Sequence, residues 1–275
     1  MVNWNNQQDT VRCLGSLSSV DYPGMQVLVV DNGSTDRSVE HIRHSFPSFE
    51  VLVLDRNKGY GGGCNAGFAH VLGENPEYVV FLNNDTVVDR NFLEPLITPL
   101  ASCSDVAVTV PRICFMEHPE RIWYAGGKVN LFTGKVAHRG IRRPDSTVYG
   151  TEHETEYATG CCMAMRAGDF RETGGFDPAF MMYGEDVDLS LRIRKSGKRI
   201  LYVPQSRIWH KVSASEGGEL GARKLWRKNR SMLKLLVKHR AWLGIVPYLL
   251  LLPFRFLQGV LAVKSFRHFR SGTFP

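Results

Sequence analysis

"YVVFLNNDTVV", residues 78–88, places five β-forming residues, Tyr78 to Leu82, directly ahead of Asn83, Asn84 and Asp85. Such an apolar run has the composition of a strand buried on both faces. Asn and Asp end strands readily, because their side chains bond to their own backbone. The stretches on either side add a second reason. "MQVLVVDNGS" (25–34) is a strand pattern that closes on Asp31 and Asn32, and "FEVLVLDRN" (49–57) closes on Asn57. Between them "TDRSVEHIRHSF" (35–46) sets Val39, Ile42 and Phe46 at helical spacing. "KGYGGGCNAGFAHVL" (58–72) follows, with a helical pattern in its second half. Alternating strands and helices with short links predict a doubly wound α/β sheet. Ligands bind such sheets beyond the carboxyl ends of the strands, so Asp31, Asn57 and Asp85 gather at the functional edge.

The 275 residues, 43% of them hydrophobic, can build one large domain or two small ones around a real core. The net charge of +7 conceals an asymmetry. Residues 1–191 carry 15 Lys/Arg against 25 Asp/Glu, and residues 192–275 carry 19 against 2. A basic tail on an acidic body points to an anionic partner: a membrane surface, a nucleic acid or a phosphorylated ligand. The six cysteines form no C-x-x-C pair and have no metal-ligand spacing with histidine. Adjacent Cys161 and Cys162 are poor disulfide partners, so a reduced, cytosolic setting is expected. The polar opening "MVNWNNQQ" carries no signal-peptide pattern.

Farther along, "AGGKVNLFTGKVAHRG" (125–140) predicts a hairpin and "RRPDSTVYGTEHETE" (142–156) a polar surface loop. Residues 186–196 predict a helix, with Glu185, Asp186 and Asp188 at its start, Arg194 and Lys195 at its end, and Gly197 as a stop. "GARKLWRKNRSMLKLLVKHR" (221–240) is a basic helix with an apolar share. The apolar stretch after it is interrupted by Pro247, Pro253 and Arg255. It suits an interfacial or re-entrant membrane segment better than a spanning helix, and packing on the domain or on a second copy is the alternative. The expected division is a domain at 1–218 and a membrane-associating helical tail at 219–275.

Two groups of residues carry chemistry. In the first, the glycines after Asn57 allow a ligand close to the backbone. "GGGCNA" (61–66) also fits the dinucleotide fingerprint G-x-G-x-x-A, so an NAD(P)-dependent oxidoreductase is a rival reading. The second group, "GGFDPAFMMYGEDVDLSLR" (174–192), places Glu185 and Asp186 where a loop enters a helix. There an ionised carboxylate is favoured and can take a proton from a substrate hydroxyl. Such a pair has no use in the oxidoreductase reading.

Taken together, "VNWNN", "CLGSL", "YPGMQVLVVDNGSTDRS", "NKGYGGGCNAG", "FLNNDTVV", "ATGCCMAMR" and "GGFDPAFMMYGEDVDLSLRIRKSGKRILYVPQSRIWH" resemble the family 2 inverting glycosyltransferases, and within them the rhamnosyltransferase-like branch. The resemblance covers roughly residues 2–240 in order. It implies the GT-A fold, a nucleotide-diphosphate sugar as donor and a divalent metal, Mg2+ or Mn2+. By the same resemblance Asp31 and Asn32 contact the nucleoside, and the Asn57–Gly67 loop, with Gly59 and Asn65, borders the nucleotide. Asn83, Asn84 and Gly160 also line the donor. Asp85, closing the Asn-Asn-Asp that stands in place of the family's D-x-D, and His210, ending "RIWH", hold the metal. Asp186 is the catalytic base, with Glu185 beside it.

The chain departs from the pattern twice. Asn-Asn-Asp carries one charge fewer than D-x-D. The family's first strand is an apolar run ahead of "VNWN", of which Met1 and Val2 remain, so a truncated inner strand is expected. The resemblance implies transfer of a sugar, with rhamnose as the analogy, to a glycan or lipid-linked acceptor in cell-envelope synthesis. It places the protein at the cytoplasmic face of the membrane, without nucleic acid and with a homodimer as an open option. A non-catalytic, membrane-associated sugar-nucleotide binder is the third reading.

Overall fold

The computed structural model describes residues 1–212 and 222–254. In chain order the elements are β1 (Val2–Asn3), α1 (Gln7–Leu17), β2 (Leu28–Asp31), α2 (Ser38–Ser45), β3 (Glu50–Val53), α3 (Gly59–Val71), β4 (Tyr78–Leu82), β5 (Thr86–Val88) and α4 (Leu93–Ser102). They continue with β6 (Val106–Phe115), β7 (Ile122–Tyr124), β8 (Gly127–Asn130), β9 (Lys135–His138), β10 (His153–Glu154), β11 (Cys162–Arg166), α5 (Ala167–Glu172), α6 (Glu185–Lys195) and β12 (Arg199–His210). Two further helices, α7 (Ala222–Lys238) and α8 (Trp242–Leu250), follow.

β1, β2 and β3 form a parallel three-stranded sheet in that order. A seven-stranded mixed sheet runs β10-β12-β6-β11-β4, with β5 beside β12 and β7 beside β6. A parallel bridge between Val2 and Asn83 joins the two sheets where β1 meets the end of β4. The expected doubly wound mixed sheet is therefore present, and its first strand is two residues long.

The short strand changes its neighbours. Tyr78, Val79 and Val80, expected to be buried on both faces, are only half-buried, whereas Phe81 and Leu82 are buried. β1 covers the end of β4 and leaves its beginning open. β2 and β3 are likewise shorter than the apolar runs that predicted them.

α3 begins at Gly59 rather than in the second half of the glycine-rich stretch. Its small residues explain this. A Cβ at Gly67 would press on Val30, one at Gly63 on Val2 and one at Gly61 on Phe176. The glycines lower helix propensity, but they let the helix axis sit close on β1 and β2, against Val2 and Val30.

Contacts divide the chain into two units, Met1–Lys128 with His138–Lys211, and Val129–Ala137 with the chain from Val212 onward. In the second unit Tyr248 is buried, donates to Asn229 Oδ1 at 2.5 Å, and packs its ring where a Cβ on Gly134 would stand. Gly134 has φ +58°, which glycine adopts without strain. Among the described residues no helix is long and apolar enough to cross a membrane. The part of the apolar segment beyond residue 254 lies outside the described residues.

Candidate active site

The carboxyl ends of β1, β2 and β4 are tied together by one hydrogen-bonded chain. Asp31 is fully buried, and its carboxylate accepts from Asn3 Nδ2 at 2.8 Å and from the Ser34 N–H at 2.9 Å. Asn3 Oδ1 accepts from Thr10 Oγ1 at 2.8 Å and from Asn84 Nδ2 at 3.3 Å, and Asn84 Nδ2 also donates to Thr10 at 2.8 Å. Buried polar groups are costly unless paired, and here each pays for the next. Asn83 acts through its backbone. Its N–H donates to the Cys161 carbonyl and its own carbonyl accepts from Thr86 Oγ1.

The loop before α3 is pinned from β2. Asn32 Nδ2 donates to Asn57 Oδ1 and to the Gly59 carbonyl, while Asn32 Oδ1 accepts the Lys58 N–H at 2.9 Å. Asn57 Oδ1 takes the Gly59 N–H at 2.8 Å. Gly59 has φ +75°, and any Cβ there would strike the Met181 carbonyl. Only glycine fits the turn without strain. Asn65 points elsewhere: it brackets Phe176, accepting its N–H at 2.9 Å and donating to its carbonyl at 2.7 Å.

Asp85 and His210 meet across the β5–β12 edge, where β12 runs antiparallel to β5 and places His210 opposite Thr86. His210 Nε2 lies 3.2 Å from Asp85 Oδ1. That distance suits an ion pair, but Asp85 Oδ1 and His210 Nδ1 are both buried with no hydrogen-bond partner. An unpaired buried carboxylate oxygen is expensive, so the pair is left short of a partner despite the distance. Trp123 braces the ring edge-on, with centroids 4.5 Å apart, and braces His138 in the same way at 4.4 Å. Lys211 is held aside by Asp9 at 2.7 Å.

These donors suit a divalent cation in kind, one hard oxygen and one imidazole nitrogen. Among the described residues no cluster of three or more His, Cys, Asp or Glu could enclose one. Such an ion would have to draw its remaining ligands from outside the described acids, cysteines and histidines.

The three acids that open α6 divide their work. Asp188 is fully buried and paired with Arg192 at 2.9 Å. Asp186 accepts the Gly160 N–H through Oδ2 at 3.0 Å and the Val187 N–H through Oδ1 at 2.8 Å. Glu185 is buried, and its Oε2 has no partner. Burial raises the pKa of Asp186, opposed by the Gly160 and Val187 backbone N–H groups. Glu185 is pushed up to about 8, by burial first and the Asp186 charge second. Glu185 is buried and Asp186 half-buried, and two adjacent carboxyls so placed do not both ionise readily. The Gly160 and Val187 N–H groups favour the charge on Asp186 over Glu185, which has no such donors on Oε2.

The turn Thr159–Cys161 brings the two halves together. Gly160 holds Asp186, and its carbonyl accepts from Tyr60 Oη at 2.5 Å. Cys161 beside it receives the Asn83 N–H, next to Asp85. The Cys161 thiol is raised by burial and then by the charge of Asp85, with Asp186 also contributing.

The family model described as Glycosyl transferase family 2 matches residues 1–174. The chain belongs to glycosyl transferase family 2. A second model, described as the N-terminal domain of galactosyltransferase, matches residues 145–212, which contain Asp186 and His210. The transferase is 27% identical over 283 residues to the N-acetylglucosaminyl-diphospho-decaprenol L-rhamnosyltransferase of Mycobacterium tuberculosis, covering 94% of this chain and 88% of that protein. It is 30% identical over 226 residues to the O-antigen biosynthesis protein RfbC of Myxococcus xanthus, covering 78% of this chain and 17% of RfbC.

A crystal structure of GalNAc-T7 with UDP, GalNAc and Mn2+ superposes with a TM-score of 0.67 at 18% identity, over 86% of the transferase and 46% of that chain. Staphylococcus aureus TarS with UDP gives 0.55 at 17% identity, over 86% and 64%. The fold is thus the GT-A fold of these proteins. The oxidoreductase reading falls with it, because the glycine-rich stretch belongs to a glycosyltransferase.

Asn3, Thr10, Tyr60 and Trp123 escaped the sequence reading. Asn3 stood in the quoted "VNWNN", but nothing in the pattern marked it as the hub between Asp31 and Asn84. Trp123 sits in a three-residue strand, too short to give a periodic signal.

Proposed function

We propose that the transferase moves a sugar from a nucleotide-diphosphate donor to an acceptor hydroxyl in one inverting displacement. The observation that carries this reading is the placement of Asp186 and the Asp85–His210 pair on either side of the Thr159–Cys161 turn. Asp31 and Asn32 border the nucleoside, with Asn57 and Gly59 shaping the loop around it. Asp186 takes the proton from the acceptor hydroxyl as its oxygen bonds to the anomeric carbon. The bond from that carbon to the diphosphate breaks on the opposite face. Glu185 keeps its proton and so leaves Asp186 as the negative group. Asp85 and His210 would hold a divalent cation, which supplies positive charge to the departing diphosphate. The UDP and Mn2+ in the GalNAc-T7 crystal structure support a nucleotide and a divalent ion of this kind.

The Mycobacterium relative's name supports a rhamnosyl donor and an acceptor on a polyprenyl diphosphate, within cell-envelope glycan synthesis. A membrane-borne acceptor agrees with the tail. Trp242, Leu243, Val246, Leu250 and Phe254 are all exposed, and α7 is strongly basic. We place the protein at the cytoplasmic face of the membrane, held by this surface. The division at residue 218 separates the catalytic part from that anchor.

The experiment is a donor screen that measures nucleoside diphosphate release with membrane glycolipid as acceptor. Transfer from one nucleotide sugar, lost on metal chelation, is expected. Binding of a nucleotide sugar without transfer under any condition would leave the non-catalytic binder instead.

A further inference from the structure

β7 carries an extra residue. Tyr124 pairs with Ile113 of β6 and Ile122 with Cys114, so neighbours on β6 face residues two apart on β7 and Trp123 bulges from the ladder. Successive side chains of a regular strand point to opposite faces, and a bulge re-aims one of them. Here Trp123 and Tyr124 both reach one imidazole. The His138 ring lies 4.4 Å from Trp123 and 5.2 Å from Tyr124 between centroids, edge to face with each. Its Nδ1–H donates to the Trp123 carbonyl at 3.1 Å, since a carbonyl can only accept.

Beyond His138 the two side chains part. Trp123 goes on to His210, its ring 4.5 Å away. A metal-ligating imidazole is ordinarily oriented by a hydrogen bond from its other nitrogen, and His210 Nδ1 lacks one among the described residues. Packing against the indole takes over that task. Tyr124 is fully buried, and its hydroxyl donates to the Tyr157 carbonyl at 2.5 Å. Any Cβ on Gly127 would strike the Tyr157 ring, so the ring lies flat on the backbone there. From this segment the path to α6 is short. Ala158 N–H donates to Ser190 Oγ at 3.0 Å, and the Ser190 hydroxyl donates to the Asp186 carbonyl at 2.7 Å.

We propose that the β7 bulge positions both halves of the site. Trp123 and Tyr124 are positioning residues, and His138 locks them together. Trp123 holds the plane of the His210 ring and so the direction of its Nε2 lone pair. Tyr124 holds residues 157–158 and, through Ser190, the first turn of α6 that carries Asp186. This inference rests on the reading of His210 as a metal ligand and Asp186 as the base.

The test uses the full chain, titration calorimetry with UDP with and without Mn2+, and turnover of the nucleotide sugar that the parent consumes. His210→Ala is the reference, and unchanged metal dependence there would overturn the metal-site reading rather than the role of the bulge. With that reference in place, Trp123→Ala should weaken Mn2+-dependent UDP binding about tenfold or more and leave metal-free binding unchanged. Trp123→Phe should recover most of the loss. Tyr124→Phe removes one oxygen and should lower kcat about tenfold with Mn2+-dependent UDP binding unchanged. His138→Ala should show both effects in one protein, and His138→Asn, which keeps a donor for the Trp123 carbonyl, should ease both. Equal losses of metal-dependent and metal-free binding in Trp123→Ala would overturn the proposal. So would a parental kcat in Tyr124→Phe, the mildest variant, whatever the alanine variants do.

Discussion

His210 Nε2 stands 3.2 Å from Asp85 Oδ1, and the carboxylate oxygen has no hydrogen-bond partner. Strand pairing brings the two residues to one point and leaves their lone-pair atoms unused. A divalent ion would remove the cost of that arrangement. Asp85→Ala and His210→Ala should therefore each weaken Mn2+-dependent UDP binding. Excess Mn2+ should partly restore the histidine variant, because the carboxylate still anchors the ion. Titration calorimetry with and without Mn2+ is the check; unchanged metal dependence in both variants would place the ion elsewhere.

Asp186→Asn keeps an oxygen for the Gly160 N–H and removes the proton acceptor. Transfer should fall by roughly 10²–10⁴-fold, the usual contribution of a general base, with nucleotide affinity nearly unchanged. Turnover and calorimetry on the same preparation decide this, and near-normal turnover would discard Asp186 as the base.

Glu185 gives a stability signature. Its pKa is pushed up to about 8, so the native state holds a proton that the unfolded chain releases. Stability from this group is intact below the ordinary carboxyl range and is lost as pH rises toward 8. Glu185→Gln keeps the neutral form at every pH. It should exceed the parent in stability by on the order of 2 kcal/mol at pH 9, because the pair with Asp186 shares the full shift. At pH 5 the gap should close. Urea melts at the two pH values test this; a gap independent of pH would contradict the assignment.

Asn3→Ala strands the Asp31 carboxylate and the Thr10–Asn84 pair at once. The expected cost is about 1–3 kcal/mol, with a matching loss of nucleotide affinity. A urea midpoint equal to the parent's would show that water replaces the amide.

Residues 223–240 contain eight Lys/Arg and no acid, each worth up to about 1 kcal/mol beside an anionic leaflet. The full chain should sediment with phosphatidylglycerol vesicles. A chain ending at Arg240 should bind more weakly and be released sooner by salt, and one ending at Gly218 should stay in solution. Full-length protein left in the supernatant at low salt would assign the apolar surface to packing instead.

The strand ends were legible in the sequence because apolar runs that stop at Asp31 and Asp85 are local signals. The helix opening at Glu185 was legible for the same reason. The antiparallel insertion of β11 between β4 and β6 was not. That pairing seats Gly160 and Cys161 between the two carboxylates, and it joins residues about eighty positions apart. The helical glycines of α3 were missed because propensity alone disfavours them, while close packing on Val30 and Phe176 requires them. Asn65 was quoted within a motif, but its pairing with the backbone of Phe176, 111 positions on, has no local signal.

β12 pairs Val203 with Pro111 and then Arg207 with Arg112, so three residues bulge out between them. Pro204 offers no N–H to the ladder, and Ser206 anchors the bulge by donating to the Phe92 carbonyl at 2.6 Å. Side chains alternate along a strand, so the bulge sets the phase in which His210 arrives opposite Thr86. Substitutions there leave that phase alone. Losing or gaining one residue forces either a new route past Phe92 or a slip that offers Trp209 or Lys211 in the histidine's place. Descendants of this gene should thus tolerate changed letters at 204 and 205 more readily than a changed count across 204–206, and a natural insertion there would mark a lineage that no longer uses the histidine.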